Sequence, residues 1–176
     1  MRKYQIDRIG ILGGTFDPAH KGHLAISKIA RKKINLKKIY WIVTKKNPFK
    51  NKPYFSLKIR LSKAKKIARN LKFIDVLFLE NKIRSNRSID VLKYLIKKDK
   101  PKNLYFIIGS DILLEFHKWK NWKKLVKLAK LIVFSREGYD KKVKESIVLK
   151  HLKKNNIIFI KNRTIKISST MLRKMM

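Results

Sequence analysis

The chain has 176 residues, 44 % of them hydrophobic, which suits one domain (residues 1–176) with an ordinary core and is too apolar for a disordered protein. The absence of cysteine excludes a disulfide framework and cysteine-based zinc sites. The net charge of +36 would suit a nucleic-acid or anionic-membrane partner, but it comes from 37 Lys against 10 Arg spread along the chain, which reads as a solvated lysine surface.

In chain order, short apolar runs alternate with segments of helical period. Ile9 to Leu12 reads as a strand, and Ile26, Ile29, Ala30 and Ile34 then fall on one face of a helix. Ile39 to Val43 is the second strand, and Leu57, Leu61, Ala64 and Ala68 mark the second helix. Phe73 to Leu79 follows as a strand, then Ile89, Leu92 and Ile96 as a helical stripe. Leu104 to Ile108 and Leu131 to Phe134 are further strands, with Trp122, Leu125, Val126 and Ala129 on the helix between them. Ile147, Val148 and Leu152 suggest a last helix before the strand Ile157 to Ile160.

This alternation predicts a Rossmann-like, doubly wound α/β fold. Its parallel sheet would have five to six strands, most buried on both faces, with helices on both sides. Ligands of such sheets bind beyond the carboxyl ends of the strands, here just after Leu12, Val43, Ile108 and Phe134. No apolar run approaches the ~20 residues of a membrane span. The N-terminus lacks the apolar stretch and cleavage site of a signal peptide. The expectation is a cytoplasmic protein without a membrane or nucleic-acid partner, either a monomer or a homo-oligomer.

Four of the six glycines, Gly10, Gly13, Gly14 and Gly22, lie in the first 22 residues. A strand running into Gly13-Gly14-Thr15-Phe16 lets the backbone turn sharply and approach a ligand. The N–H groups of the helix that follows can then face an anion. The loop lacks the Gly-Lys-Ser/Thr ending of a Walker A motif, and its third glycine is misplaced for the dinucleotide fingerprint. His20 and His23, three apart, share one face of the opening helical turn and can hydrogen-bond phosphate oxygens. As a metal pair with Asp17 they would need a further ligand, and His117 and His151 are not suggestively spaced.

The run Gly13-Gly14-Thr15-Phe16-Asp17-Pro18-Ala19-His20-Lys21-Gly22-His23 resembles the signature of the cytidylyltransferase-like nucleotidyltransferases. Within that superfamily it is most similar to the bacterial nicotinate-nucleotide adenylyltransferases. The pantetheine-phosphate enzymes typically have threonine at the position of His20.

Further matches follow in order along the chain. Asn47-Pro48-Phe49-Lys50 resembles the family's Pro-x-Lys loop near the substrate phosphates. Gly109-Ser110-Asp111 resembles its Gly-x-Asp motif, whose aspartate would accept ribose hydroxyls; by itself Asp111 could also cap a helix. Trp119 corresponds to the tryptophan that stacks on nicotinate, while Trp122 reads as core. Arg136, before Glu137-Gly138-Tyr139, resembles an Arg-x-Gly-Tyr turn. Ser168-Ser169-Thr170 with Arg173 resembles the terminal motif that holds the ATP phosphates, and also reads as a capped helix start. The one departure is Asn86-Arg87-Ser88, where the family usually carries Ser-Tyr-Thr near the pyridine carboxylate; Ser88 still offers a hydroxyl and a backbone N–H.

The resemblance implies adenylyl transfer from ATP to nicotinate mononucleotide, with Mg²⁺ arriving on ATP and no metal ligands from protein side chains. It casts His20, His23, Lys50 and Arg173 as catalytic groups. A rival reading, a basic RNA-binding protein, gives no reason for two histidines inside a glycine cluster.

Overall fold

The computed structural model describes residues 8–47, 51–152 and 156–161. The candidates Lys50, Ser168, Ser169, Thr170 and Arg173 lie outside the described residues. The six anticipated strands are present as β1 (Arg8–Gly14), β2 (Lys38–Val43), β3 (Ile74–Leu77), β4 (Asn103–Gly109), β5 (Lys130–Phe134) and β6 (Ile157–Ile160). They form one sheet in the order β3-β2-β1-β4-β5-β6, with every neighbouring pair parallel. The chain winds outward from β1 in one direction and restarts at β4 on its other side. The strand order therefore reverses between β1 and β4, and a crevice opens beyond their carboxyl ends.

Successive strand side chains face opposite layers of core. Ile9, Ile11, Tyr40, Ile42, Phe106, Ile108, Leu131 and Val133 pack on one face, under α4 (Ser88–Asp99), α5 (Ser110–Glu115), α6 (Trp122–Leu128) and α8 (Ile147–His151). Leu12, Ile39, Trp41, Val43, Tyr105, Ile107 and Ile132 pack on the other, under α1 (Lys21–Ile34) and α2 (Leu57–Ala68). Gly10 belongs to this packing and not to a ligand site. A Cβ there would come within 2.9 Å of Leu36 Cδ1 and 3.2 Å of Ile107 Cδ1, so its bareness lets α1's exit loop close on the sheet.

Two departures from the sequence reading have simple causes. The strand expected over Phe73 to Leu79 pairs only from Ile74 to Leu77, because it is an edge strand and the chain then turns into the one-turn helix α3 (Glu80–Ile83). α5 and the 3₁₀ turn Phe116–Lys118, and likewise α7 (Asp140–Val143), are too short to show a period in the sequence. Among the described residues no helix is long and apolar enough to cross a membrane.

Candidate active site

β1 ends in the middle of the sheet with Gly13 exposed and Gly14 half-buried, so the floor of the crevice there is bare backbone. His20 is the residue that caps α1, not part of its first turn. Its Nδ1 accepts from Gly22 N at 3.1 Å, while its own backbone N–H donates to His23 Nδ1 at 3.2 Å. His23 N in turn bonds to His20 O at 2.9 Å. The two rings lie 4.0 Å apart, and His23 also packs against Phe16 at 4.7 Å and Trp41 at 5.9 Å.

This reciprocal cap decides the chemistry of both imidazoles. Each Nδ1 is an acceptor, so the neutral ring carries its proton on Nε2. Burial, assisted by the positive charge of Arg136, lowers the pKa of His20 from 6.5 to about 4. For His23, burial and then the charges of His20 and Arg136 lower it to about 3. Both rings are therefore neutral donors at neutral pH. The cap also revises one expectation, since the N–H groups of Gly22 and His23 at the helix start are bonded internally. Among the donors there, the ring Nε2–H groups take the place of these two amides.

Asp17 is 4 % exposed and accepts from Tyr54 N at 2.7 Å and Phe55 N at 2.9 Å. It anchors the loop before α2 and is not aimed at a metal. Among the described residues no group of three histidines or acids could hold a metal ion.

The second wall of the crevice is the end of β4. Gly109 is followed by Ser110, fully buried, whose Oγ accepts from Arg136 N at 2.8 Å and so ties the end of β5 to β4. The Arg136 guanidinium lies 3.2 Å from Asp111 Oδ2. A Cβ on Gly109 would collide with Asp111 Oδ1 and Arg136 Nε, so glycine is what lets this pair fold over the strand end. Asp111 Oδ1 is buried and has no hydrogen-bond partner among the described residues. A buried, unpaired carboxylate oxygen is costly unless something completes it.

Trp119 stacks on Phe116 at 4.9 Å and meets Phe106 edge-on at 5.9 Å, leaving it only partly buried. Trp122, read from the sequence as core, is also only partly buried and meets His151 edge-on at 5.0 Å. Ser88 is the first residue of α4 and half-buried. The N-cap of that helix is Arg87, with no side-chain cap, and the turn before it is tied by Ser85, whose Oγ accepts from Arg87 N at 3.2 Å and donates to Asp90 at 2.6 Å. Arg87 itself is exposed and lines a cleft of about 480 Å³ with Lys82, Arg84 and Lys93. The histidines, Asp111 and Arg136 thus gather at the carboxyl ends of β1, β4 and β5, whereas Ser88 opens α4 and Trp119 follows the 3₁₀ turn, each on a separate element.

The cytidylyltransferase-like family model matches residues 11–175. The chain belongs to that family. A protein of Pelagibacter ubique named "Probable nicotinate-nucleotide adenylyltransferase" is 51 % identical over 167 residues, covering 95 % of this chain and 92 % of that protein. One of the same name from Aquifex aeolicus is 38 % identical over 164 residues, covering 91 % and 98 %. The nicotinic acid mononucleotide adenylyltransferase of Plasmodium falciparum, solved with NaAD, superposes with a TM-score of 0.74 at 23 % identity. The match covers 96 % of this chain and 83 % of that one and supports the fold.

One residue of this cytidylyltransferase-like site escaped the sequence reading. Arg60 on α2 is 2 % exposed and donates to the carbonyls of Thr15, Thr44, Lys45 and Phe55. A signal for it was present. Arg60 stands four residues before Ala64 and eight before Ala68, on the inner stripe of a helix whose other cations are lysines.

Proposed function

We propose that the chain transfers the adenylyl group of ATP to nicotinate mononucleotide, giving nicotinate adenine dinucleotide and pyrophosphate, as a cytoplasmic step of NAD biosynthesis. The choice of acceptor follows the names of relatives at 51 % and 38 % identity. The reading of the reaction rests on the two imidazoles capped as neutral Nε2–H donors at the mouth of the crevice.

In this reaction a phosphate oxygen of the mononucleotide attacks the α-phosphorus in line, and the bond from that phosphorus to the bridging oxygen of pyrophosphate breaks. No side chain bonds covalently to the substrate, and catalysis is positioning with charge stabilisation. His20 and His23 donate to phosphoryl oxygens that gain charge at the transition state. Neutral donors suit this role, because they stabilise the pentavalent phosphorus without surrendering a proton to it.

The Gly13–Phe16 backbone approaches the phosphates, Asp111 Oδ1 accepts from a ribose hydroxyl, and Arg136 adds positive charge beside it. Trp119 stacks on the pyridine, and Ser88 with Arg87 faces its carboxylate. Lys50 supplies charge near the substrate phosphates, while Ser168, Ser169, Thr170 and Arg173 hold those of ATP. Mg²⁺ arriving on ATP would offset the charge of the triphosphate, held by the nucleotide and not by side chains of this chain. The donor set fits that route, since both Nδ1 atoms are occupied and Asp17 is engaged by two backbone N–H groups.

Pyrophosphate release should be measured with ATP and each of three acceptors: nicotinate mononucleotide, its amide and phosphopantetheine. The expected order places nicotinate mononucleotide first. Faster release with phosphopantetheine, or release with none, overturns the proposal.

A further inference from the structure

Arg60 carries a consequence that reaches the substrate without touching it. Its guanidinium is buried and binds four backbone carbonyls, which it can do because it presents five donors in a rigid planar fork. Three of these, Thr44 O at 2.7 Å, Lys45 O at 3.0 Å and Phe55 O at 3.0 Å, belong to the exit of β2 and the loop before α2. The fourth is the carbonyl of Thr15, in the glycine turn after β1.

The Thr15–Phe16 peptide is trans, so its C=O and N–H point in opposite directions. Fixing the Thr15 carbonyl on Arg60 therefore points the Phe16 N–H to the side opposite Arg60. Two observations show that this N–H is set up as a donor. No described residue accepts a hydrogen bond from it. It also lies 4.0 Å from where a Cβ of half-exposed Gly14 would sit, so it borders the bare glycine at the end of β1.

The orientation has a cost that something must offset. Phe16 has φ of 48°, in the left-handed region that bulky residues avoid. Its ring is buried and stacked on Trp41 at 5.2 Å, which holds the side-chain end. Arg60 holds the backbone end.

We propose that Arg60 is a positioning residue whose grip on the Thr15 carbonyl aims the Phe16 N–H at a phosphate group of a nucleotide substrate. The proposal rests on the adenylyl-transfer reading for the identity of that phosphate, which belongs either to ATP or to the mononucleotide.

Amide NMR on the whole chain tests it without requiring turnover. In the wild-type protein the Phe16 amide proton should move downfield on addition of α,β-methylene-ATP or of nicotinate mononucleotide. Adenosine and nicotinate riboside should leave it in place, and the ligand that moves it identifies the phosphate. Arg60→Lys keeps the charge but loses the fork, so affinity for that nucleotide should fall about tenfold while affinity for its nucleoside stays within about twofold. A purely structural role would weaken nucleotide and nucleoside together, and that result overturns the proposal. An unmoved Phe16 amide in the wild type overturns it as well, whether or not the variant folds. If the amide and affinity shifts appear but no adenylyl transfer is measurable, the function assigned above fails and the role of Arg60 stands.

Discussion

The loops after β1 and β4 leave adjacent strands of one sheet, yet they are built on opposite plans. After β1, His20, His23 and Asp17 are each bonded to backbone, and Arg60 secures the turn from behind. After β4, a buried oxygen of Asp111 has no partner among the described residues, and its other oxygen pairs with an Arg136 side chain that is 55 % exposed. The side chains of the first loop are fixed before any ligand arrives, as suits groups that must meet a transition state without rearranging. The second can exchange its ion pair for contacts with a ligand, as suits groups that grip a substrate. The capped histidines of the β1 loop should therefore govern kcat, and Asp111 of the β4 loop KM.

The strongest way to break this contrast is His23→Ala. Loss of one preorganised donor should lower kcat by about 10²-fold with little change in KM, read from steady-state pyrophosphate release. A variant with normal kcat and a raised KM would erase the distinction. Asp111→Ala should do the reverse, raising KM for one nucleotide about tenfold while kcat falls much less.

Acid should also act first through the β1 loop. His20 and His23 have pKa values near 4 and 3 in the fold against 6.5 outside it. The unfolded chain therefore takes up protons below about pH 6.5 that the folded chain refuses. Their contribution to stability is full above that value and is lost progressively as pH falls through about 4 and then about 3. Between pH 7 and pH 4.5, after allowance for partial exposure of His20, this amounts to roughly 4 kcal/mol, or about 8–16 °C in Tm. The wild type should lose that much more between pH 7 and pH 4.5 than the double variant His20→Asn/His23→Asn. The smallest effect joins the two loops: removing the positive charge with Arg136→Gln should raise both histidine pKa values slightly, seen as an upward drift of their NMR titrations.

The loop after β1 was readable because its parts are close in sequence. Glycines, two histidines and the helix start fall within 11 residues, Gly13 to His23, and local spacing brings them together. Even so, spacing alone put His20 on the helix face, whereas its backbone is extended (φ −149°, ψ 172°) and its ring serves as the cap. The strands and longer helices were legible from apolar period. The one-turn helices were not, because four to six residues carry too little pattern. Arg60 was missed for another reason. Its partners Thr15 and Thr44 lie 45 and 16 positions away, and its charge is concealed among 47 Lys and Arg. Asp111 was found at the sheet edge, but only folding leaves one of its oxygens without a partner.

Trp41 is fully buried, with its indole N–H on Ser27 Oγ at 2.9 Å and Ser27 bonded in turn to His23 O at 2.8 Å. Its ring lies against Phe16 and within 5.9 Å of His23, while Trp119 and Trp122 are only partly buried. One of the three indoles thus sits rigidly beneath the first loop, shielded from solvent. Its blue-edge fluorescence would be an optical reporter placed by nature under the crevice, separable from the redder emission of the other two.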